Sequence, residues 1–161
     1  MERQLPSLSR ALALCASALL LAGPAAAATV ISVGDGDTLR VEDRGKKVTI
    51  RLACIDAPET AHGPYGMASR RLLQQLAPIG AKVQLVIKDR DRYGRTVADI
   101  VRNGQSINLR MVRSGQAFAY RQYLANCDAA SYLSAERVAE RARPVTARKD
   151  DAPAADQAAI T

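Results

Sequence analysis

The chain has 161 residues, 23 Lys and Arg against 16 Asp and Glu for a formal charge of +7, three Cys, no Trp and one His. That length suits a single domain, and 48% hydrophobic with 24% charged residues is enough for a packed core. A lone His excludes a His-rich zinc site, which leaves catalysis to carboxylates, Arg, Tyr or a bound metal.

Residues 1–28 read as a secretory signal peptide. Arg3 and Arg10 form a positive start, Ala11 to Ala22 an apolar stretch, Gly23-Pro24 a break and Ala25 to Ala28 a small-residue cleavage site. The alternative, a membrane anchor, is disfavoured because the apolar stretch is shorter than the ~18 residues a span wants. Without Glu2, Arg3 and Arg10 the remainder keeps a charge of +6, which suits an anionic partner, nucleic acid before anionic lipid. Export also leaves Cys54 and Cys127 as the two cysteines able to oxidise together, or Cys54 as a buried free thiol.

Val30 to Val33 is a β-branched run closed by Gly34-Asp35-Gly36-Asp37, a hairpin turn before a second strand at Thr38 to Val41. After a turn at Asp43-Arg44-Gly45, Lys47 to Leu52 alternates, with Val48, Ile50 and Leu52 facing one way and Lys47, Thr49 and Arg51 the other. Ile55 to Gly66 reads as loop. A helix follows with Ala68, Leu72, Leu73 and Leu76 on one stripe, stopping near Pro78 and Gly80.

Val83, Leu85 and Ile87 alternate in a fourth strand, and Lys88 to Arg95 turns the chain into a fifth at about Val97 to Arg102. Ile107 to Ser114 predicts a short helix stopped by Gly115. A last helix runs from about Ala129 or Ser131 to Arg143, with Tyr132, Ala135, Ala139 and Ala142 at helical spacing. Five strands with a helix between the third and fourth predict a β-rich α+β fold, a five-stranded OB-fold barrel with three helices. Residues 29–143 form that domain, and the Ala-, Asp- and Pro-rich residues 144–161 are expected to be a disordered tail.

Three polar groups could carry chemistry. Gly34-Asp35-Gly36-Asp37-Thr38 can be a simple turn. Asp56 and Glu59, in the stretch from Arg51 to Thr60, can be an ordinary solvated loop, or a metal ligand beside a general base. Asp91-Arg92-Tyr93-Gly94-Arg95 can be a charged hairpin tip. Taken together they contain the parts that phosphodiester hydrolysis needs. Hard carboxylates suit Ca²⁺ or Mg²⁺, a further carboxylate can orient water, and two Arg can neutralise a phosphate with their planar donors.

The order D-G-D-T, R-L-x-x-I-D-A-P-E, Tyr65-Gly66 and D-R-Y-G-R resembles the thermonuclease family of micrococcal-type nucleases over roughly Thr29 to Arg143. The resemblance implies an OB barrel with three helices and Ca²⁺-dependent cleavage of DNA and RNA to 3′-phosphate ends. It implies Asp37 and Asp56 as calcium carboxylates, the Ala57 carbonyl as a metal donor, and Glu59 as general base. It makes Arg51 and Arg95 phosphate-binding, with Arg95 a proton donor to the leaving oxygen. Arg92 and Tyr93 match positions near a terminal phosphate, and Tyr120 and Tyr123 match aromatics against which a base packs.

Two departures from the family pattern stand out. The loop between Glu59 and Tyr65 is short, and Pro144-Val145-Thr146 follows Arg143 where the family continues into a Gly-x-Trp segment. The alternative function is a non-catalytic OB-fold module for single-stranded nucleic acid, which would not need Asp37, Arg51, Asp56, Glu59 and Arg95 together. A monomer, free of the membrane after signal cleavage and either secreted or periplasmic, is expected.

Overall fold

A computed structural model describes residues 27–142. The predicted leader falls almost entirely outside them, and so does the predicted tail. Strand β1, Ala28–Val33, takes in Ala28, one residue ahead of the predicted domain start. It pairs antiparallel with β2, Thr38–Asp43, which pairs with β3, Lys46–Leu52, in the meander expected from two turn signals. Along β3, Ile50 and Leu52 are buried, as the alternation requires.

The segment after β3 is not all loop. A two-residue turn, Ala53-Cys54, leads directly into a short strand β4, Ile55–Asp56. Helix α1, Gly63–Leu76, then starts four residues earlier than expected, with Pro64 in its first turn, where a missing N–H costs nothing. Its Leu73 and Leu76 are buried and Leu72 is half-buried.

Strand β5, Lys82–Arg90, runs on past Ile87, and β6, Thr96–Arg102, returns beside it. Val83 is buried, but the outer half of β5 projects from the barrel and leaves Ile87 exposed, so the expected alternation does not translate into burial there. The short β7, Gln105–Ser106, leads into α2, Ile107–Arg113. Ser106 caps this helix by accepting the Leu109 N–H at 3.0 Å. Next come β8, Phe118–Ala119, a 3-10 turn at Arg121–Asn126, and α3, Ala129–Ala142.

One sheet orders β3-β2-β1-β5-β6-β7, and parallel pairing of β3 with β6 closes it into a five-strand mixed barrel. The registers Ile50 to Thr96, Arg51 to Val97 and Leu52 to Ala98 form that seam. The barrel interior holds Val30, Leu39, Val41, Ile50, Leu52, Val83 and Ile100, against which α1 and α2 set Leu73, Ile107, Met111 and Val112. This is the predicted OB-type architecture. The separate pair β4 and β8, with Ile55 opposite Ala119 and Asp56 opposite Phe118, sits beside it.

Candidate active site

The hairpin turn after β1 is more than a turn. The Asp35 carboxylate accepts the Asp37 N–H at 3.0 Å, and the Asp37 carbonyl accepts the Leu52 N–H at 2.8 Å. Asp37 is thereby pinned to the end of β3. Gly36 packs against α1 so closely that a Cβ there would overlap Ser69, whose hydroxyl donates to the Gln116 carbonyl at 2.6 Å. Only glycine lets this turn settle against the helix.

From β3, Arg51 reaches across to two carboxylates. Its guanidinium lies 2.8 Å from Asp37 Oδ2 and 3.0 Å from Asp56 Oδ1, and it also donates to the Leu52 and Ile55 carbonyls at 3.2 and 3.1 Å. Asp37 accepts the Ala57 N–H at 2.9 Å and the Thr38 hydroxyl at 3.2 Å. Burial pushes the Asp37 carboxyl up to about 7, against the opposing pull of Arg51, with Asp35 adding repulsion. Asp37, Arg51, Asp56 and Ala57, dispersed over twenty residues, thus form one cluster.

Glu59 stands exposed on the loop just beyond Asp56. Its carbonyl accepts the His62 N–H at 2.8 Å and lies against Gly66 of α1, where any Cβ would overlap it. Gly66 therefore lets α1 support the loop that carries Glu59.

Arg95 immediately precedes β6, whose first residue, Thr96, pairs with Ile50 at the seam with β3. Its guanidinium is held by Asp91 at 2.6 Å, while the other Asp91 oxygen accepts the N–H groups of Tyr93 and Arg95. Slight burial works against it, but the Arg95 contacts and the Tyr93 N–H hold the Asp91 carboxyl below its usual range. The tip carries Tyr93, 69% exposed, with the guanidinium carbons of Arg92 and Arg95 at 4.9 and 5.5 Å from its ring centre.

Tyr120 and Tyr123 form an edge-to-face pair with ring centres 4.9 Å apart, both partly exposed. The Tyr120 N–H donates to the Cys54 carbonyl at 2.9 Å, so the pair is tied to the turn that precedes Asp56. Cys54 and Cys127 are joined by a disulfide.

Several contributors carry no signal that the chemistry-bearing motifs would reveal. Asn108 is fully buried, donating to the Ala53 and Ala98 carbonyls at 3.0 and 3.1 Å and accepting the Ile100 N–H at 3.2 Å. It ties α2 to the turn between β3 and β4. Glu136 of α3 accepts the Ala119 N–H at 3.1 Å and pairs with Arg121, which bracket Tyr120. Asp91 was readable, because an Asp three residues before a Gly and four before an Arg is the pattern of a side chain capping its own turn.

The donor set fits a hard divalent cation. Asp37 and Asp56 offer carboxylate oxygens, the hard donors that such an ion takes. A cation would also relieve the cost of ionising the buried Asp37. Among the described residues no three acidic, His or Cys side chains form a closed cage, so water or substrate oxygens would have to complete the shell.

An OB barrel that gathers two carboxylates around an arginine, with a second arginine just ahead of the adjoining strand, has the make-up of a phosphate-handling protein. Residues 49–144 match the family model described as staphylococcal nuclease homologue. The chain belongs to that family. The matched span takes in Arg51, Asp56, Ala57, Glu59 and Arg95 but begins after Asp37, which its ion pair with Arg51 joins to the cluster.

Similar proteins include an uncharacterized endonuclease of Haemophilus influenzae, 43% identical over 95 residues, covering 58% of this chain and 52% of the relative. An uncharacterized endonuclease of Escherichia coli is 42% identical over 95 residues, with coverage of 58% and 61%. A micrococcal nuclease of Shigella flexneri is 37% identical over 123 residues, covering 71% of this chain and 69% of its own. The chain thus spans between half and two thirds of the length of the two endonucleases.

Proposed function

We propose that the chain is an exported, calcium-dependent endonuclease that hydrolyses phosphodiester bonds of DNA and RNA and leaves 3′-phosphate ends. The observation that carries this reading is the Arg51 guanidinium bridging Asp37 and Asp56. It sets a phosphate-binding cation beside two oxygen ligands. A module that only binds single strands has no use for that arrangement, whereas a hydrolase must place positive charge where the attacked phosphorus gains negative charge.

In this reading Asp37, Asp56 and the Ala57 carbonyl hold Ca²⁺, which when bound supplies positive charge next to the scissile phosphate. Glu59 orients a water and takes its proton as the oxygen attacks phosphorus in line. Arg51 and Arg95 bind the nonbridging oxygens, for which a planar guanidinium is suited. The bond from phosphorus to the 5′ oxygen breaks and that oxygen takes a proton from Arg95, leaving the phosphate on the 3′ side. Arg92, Tyr93, Tyr120 and Tyr123 flank the substrate, the tyrosines offering faces for bases. Export is supported by the leader pattern of residues 1–28 and by a Cys54–Cys127 bond of a kind that persists in oxidising compartments.

The test is digestion of plasmid DNA and of RNA by the purified protein, with calcium and with excess chelator, followed by end-group analysis. The expected result is calcium-dependent cleavage to 3′-phosphate ends, lowered about 10²- to 10⁴-fold by Glu59→Gln. Cleavage that persists in chelator, or at full rate in the Glu59→Gln protein, defeats the reading. Binding without cleavage returns the single-strand-binding alternative.

A further inference from the structure

Outside the Asp37–Arg51–Asp56 cluster, a cleft of about 320 Å³ opens between β3 and the hairpin of β5 and β6. Its walls include Lys47, Thr49, Arg90, Tyr93 and Arg95. Three of these five side chains are cationic, and no carboxylate lines the cleft. Arg95 is already engaged by Asp91. Lys47 and Arg90 are exposed, and among the described residues neither closes an ion pair.

The acidic groups nearby are otherwise placed. Asp43 pairs with Arg44, Asp89 accepts the Arg90 N–H, and Glu42 stands across the ladder from Lys47 without bridging it. Two unneutralised cations converging on an open polar cleft make a site for an anion.

Strand β3 runs from the cleft wall to Arg51 of the cluster. Lys47, Thr49 and Arg51 are successive outward positions of β3, about 6.7 Å apart at strand rise, a step comparable to that between neighbouring phosphates of an extended strand. The β3–β6 seam sets Thr96, also on the cleft wall, beside Ile50. Arg92 packs on the Tyr93 ring and is not part of the cleft wall.

We propose that this cleft is a second phosphate subsite, in which Lys47 and Arg90 hold a phosphodiester of the polynucleotide beyond the one bound at Arg51. The proposal rests on the nuclease reading for its substrate. It makes the enzyme favour chains over single nucleotide linkages, because the second phosphate exists only in a chain. Lys47 supplies a point charge and Arg90 a planar fork, and Thr49 lines the same wall.

The experiment replaces Lys47 and Arg90 together by Ala in the full chain, with Arg113→Ala on α2 as an exposed-cation control. Binding of a short fluorescent oligothymidylate is measured in chelator over a range of salt. The slope of log affinity against log salt is expected to shrink by about 1.4 in the double variant, two contacts at about 0.7 each, and to stay unchanged in the control. With calcium, KM for the oligonucleotide is expected to rise roughly tenfold at unchanged kcat, while hydrolysis of a dinucleoside monophosphate is unaffected.

An unchanged slope and KM in a double variant that melts like the parent overturns the subsite. If the Ala pair melts early, Lys47→Gln with Arg90→Gln gives the same reading without loss of side-chain bulk. A parent that cleaves nothing overturns the nuclease reading, and the salt slope still decides the subsite.

Discussion

Arg51 holds Asp37 at 2.8 Å with the same guanidinium that reaches Asp56 at 3.0 Å, so one side chain joins the first turn of the barrel to the end of β4. A lysine cannot replace this. Its single ammonium cannot span both carboxylates and the two carbonyls that Arg51 also bridges. Arg51→Lys is expected to lower kcat by about 10²- to 10³-fold, the cost of one preorganised charge donor. It should also lower the melting temperature, because Asp37 stays buried with a poorer partner. Steady-state kinetics and a thermal melt on the same preparation check both.

Glu136 positions the strand that pairs with the Asp56 segment. Its carboxylate takes the Ala119 N–H and Arg121, and β8 carries that order to β4 through the Ile55–Ala119 and Asp56–Phe118 pairs. Glu136→Ala leaves an unmet backbone donor and is expected to cost about 1 to 3 kcal/mol in urea unfolding. Glu136→Gln keeps an acceptor oxygen and should recover part of that loss. A structural role alone would leave substrate affinity untouched in protein that is still folded. Displacement of Tyr120 should instead raise KM more than it lowers kcat.

The Cys54–Cys127 bond closes a loop with a sequence separation of 73. In the chain-entropy model such a link contributes on the order of 4 kcal/mol by restricting the unfolded chain. Replacing both cysteines by Ser should lower the denaturation midpoint by a corresponding amount. A reducing agent should produce a similar drop in the parent and none in the variant. Mass spectrometry of unreduced protein showing two free thiols would contradict the pairing.

Burial raises the Asp99 carboxyl above its ordinary value, against the Ser106 hydroxyl that donates to it at 2.6 Å and the attraction of Lys88. Because the folded state holds this proton more tightly than the unfolded chain, Asp99 favours the fold below the ordinary carboxylate range. That contribution is lost as pH rises through the raised folded value. Asp99→Asn keeps an oxygen for Ser106 and has no charge to bury. The parent should therefore lose stability relative to Asp99→Asn as pH rises from acid to neutral. Parallel pH profiles of urea midpoints for the two proteins would refute this.

Strand β3 shows how much of the fold was legible in the sequence. Val48, Ile50 and Leu52 alternate with Lys47, Thr49 and Arg51, and the turn residues at Gly34 to Asp37 and at Asp43 to Gly45 bound the strands on either side. Such patterns are readable because strand and helix periods are set by hydrogen bonds between near neighbours and by which face is buried. The strands β4 and β8 were missed because two residues are too few to show a period. Ile87 lies in the expected strand yet is exposed, because alternation records which side a residue faces, and not whether anything covers that side.

At the site, the sequence by itself determined which side chains were available and their order: Asp37, Arg51, Asp56, Glu59 and Arg95, in three short polar motifs. Only the tertiary structure decided how they are used. The parallel seam between β3 and β6 sets Thr96, the residue after Arg95, beside Ile50, the residue before Arg51, and the Gly36 and Gly66 contacts seat two loops on α1. Asn108 and Glu136 tie the helices to the turn before β4 and to the strand that pairs with it. These contacts join residues far apart in the chain, through buried polar groups whose partners lie on other elements. No local pattern encodes a partner that arrives only when the barrel closes.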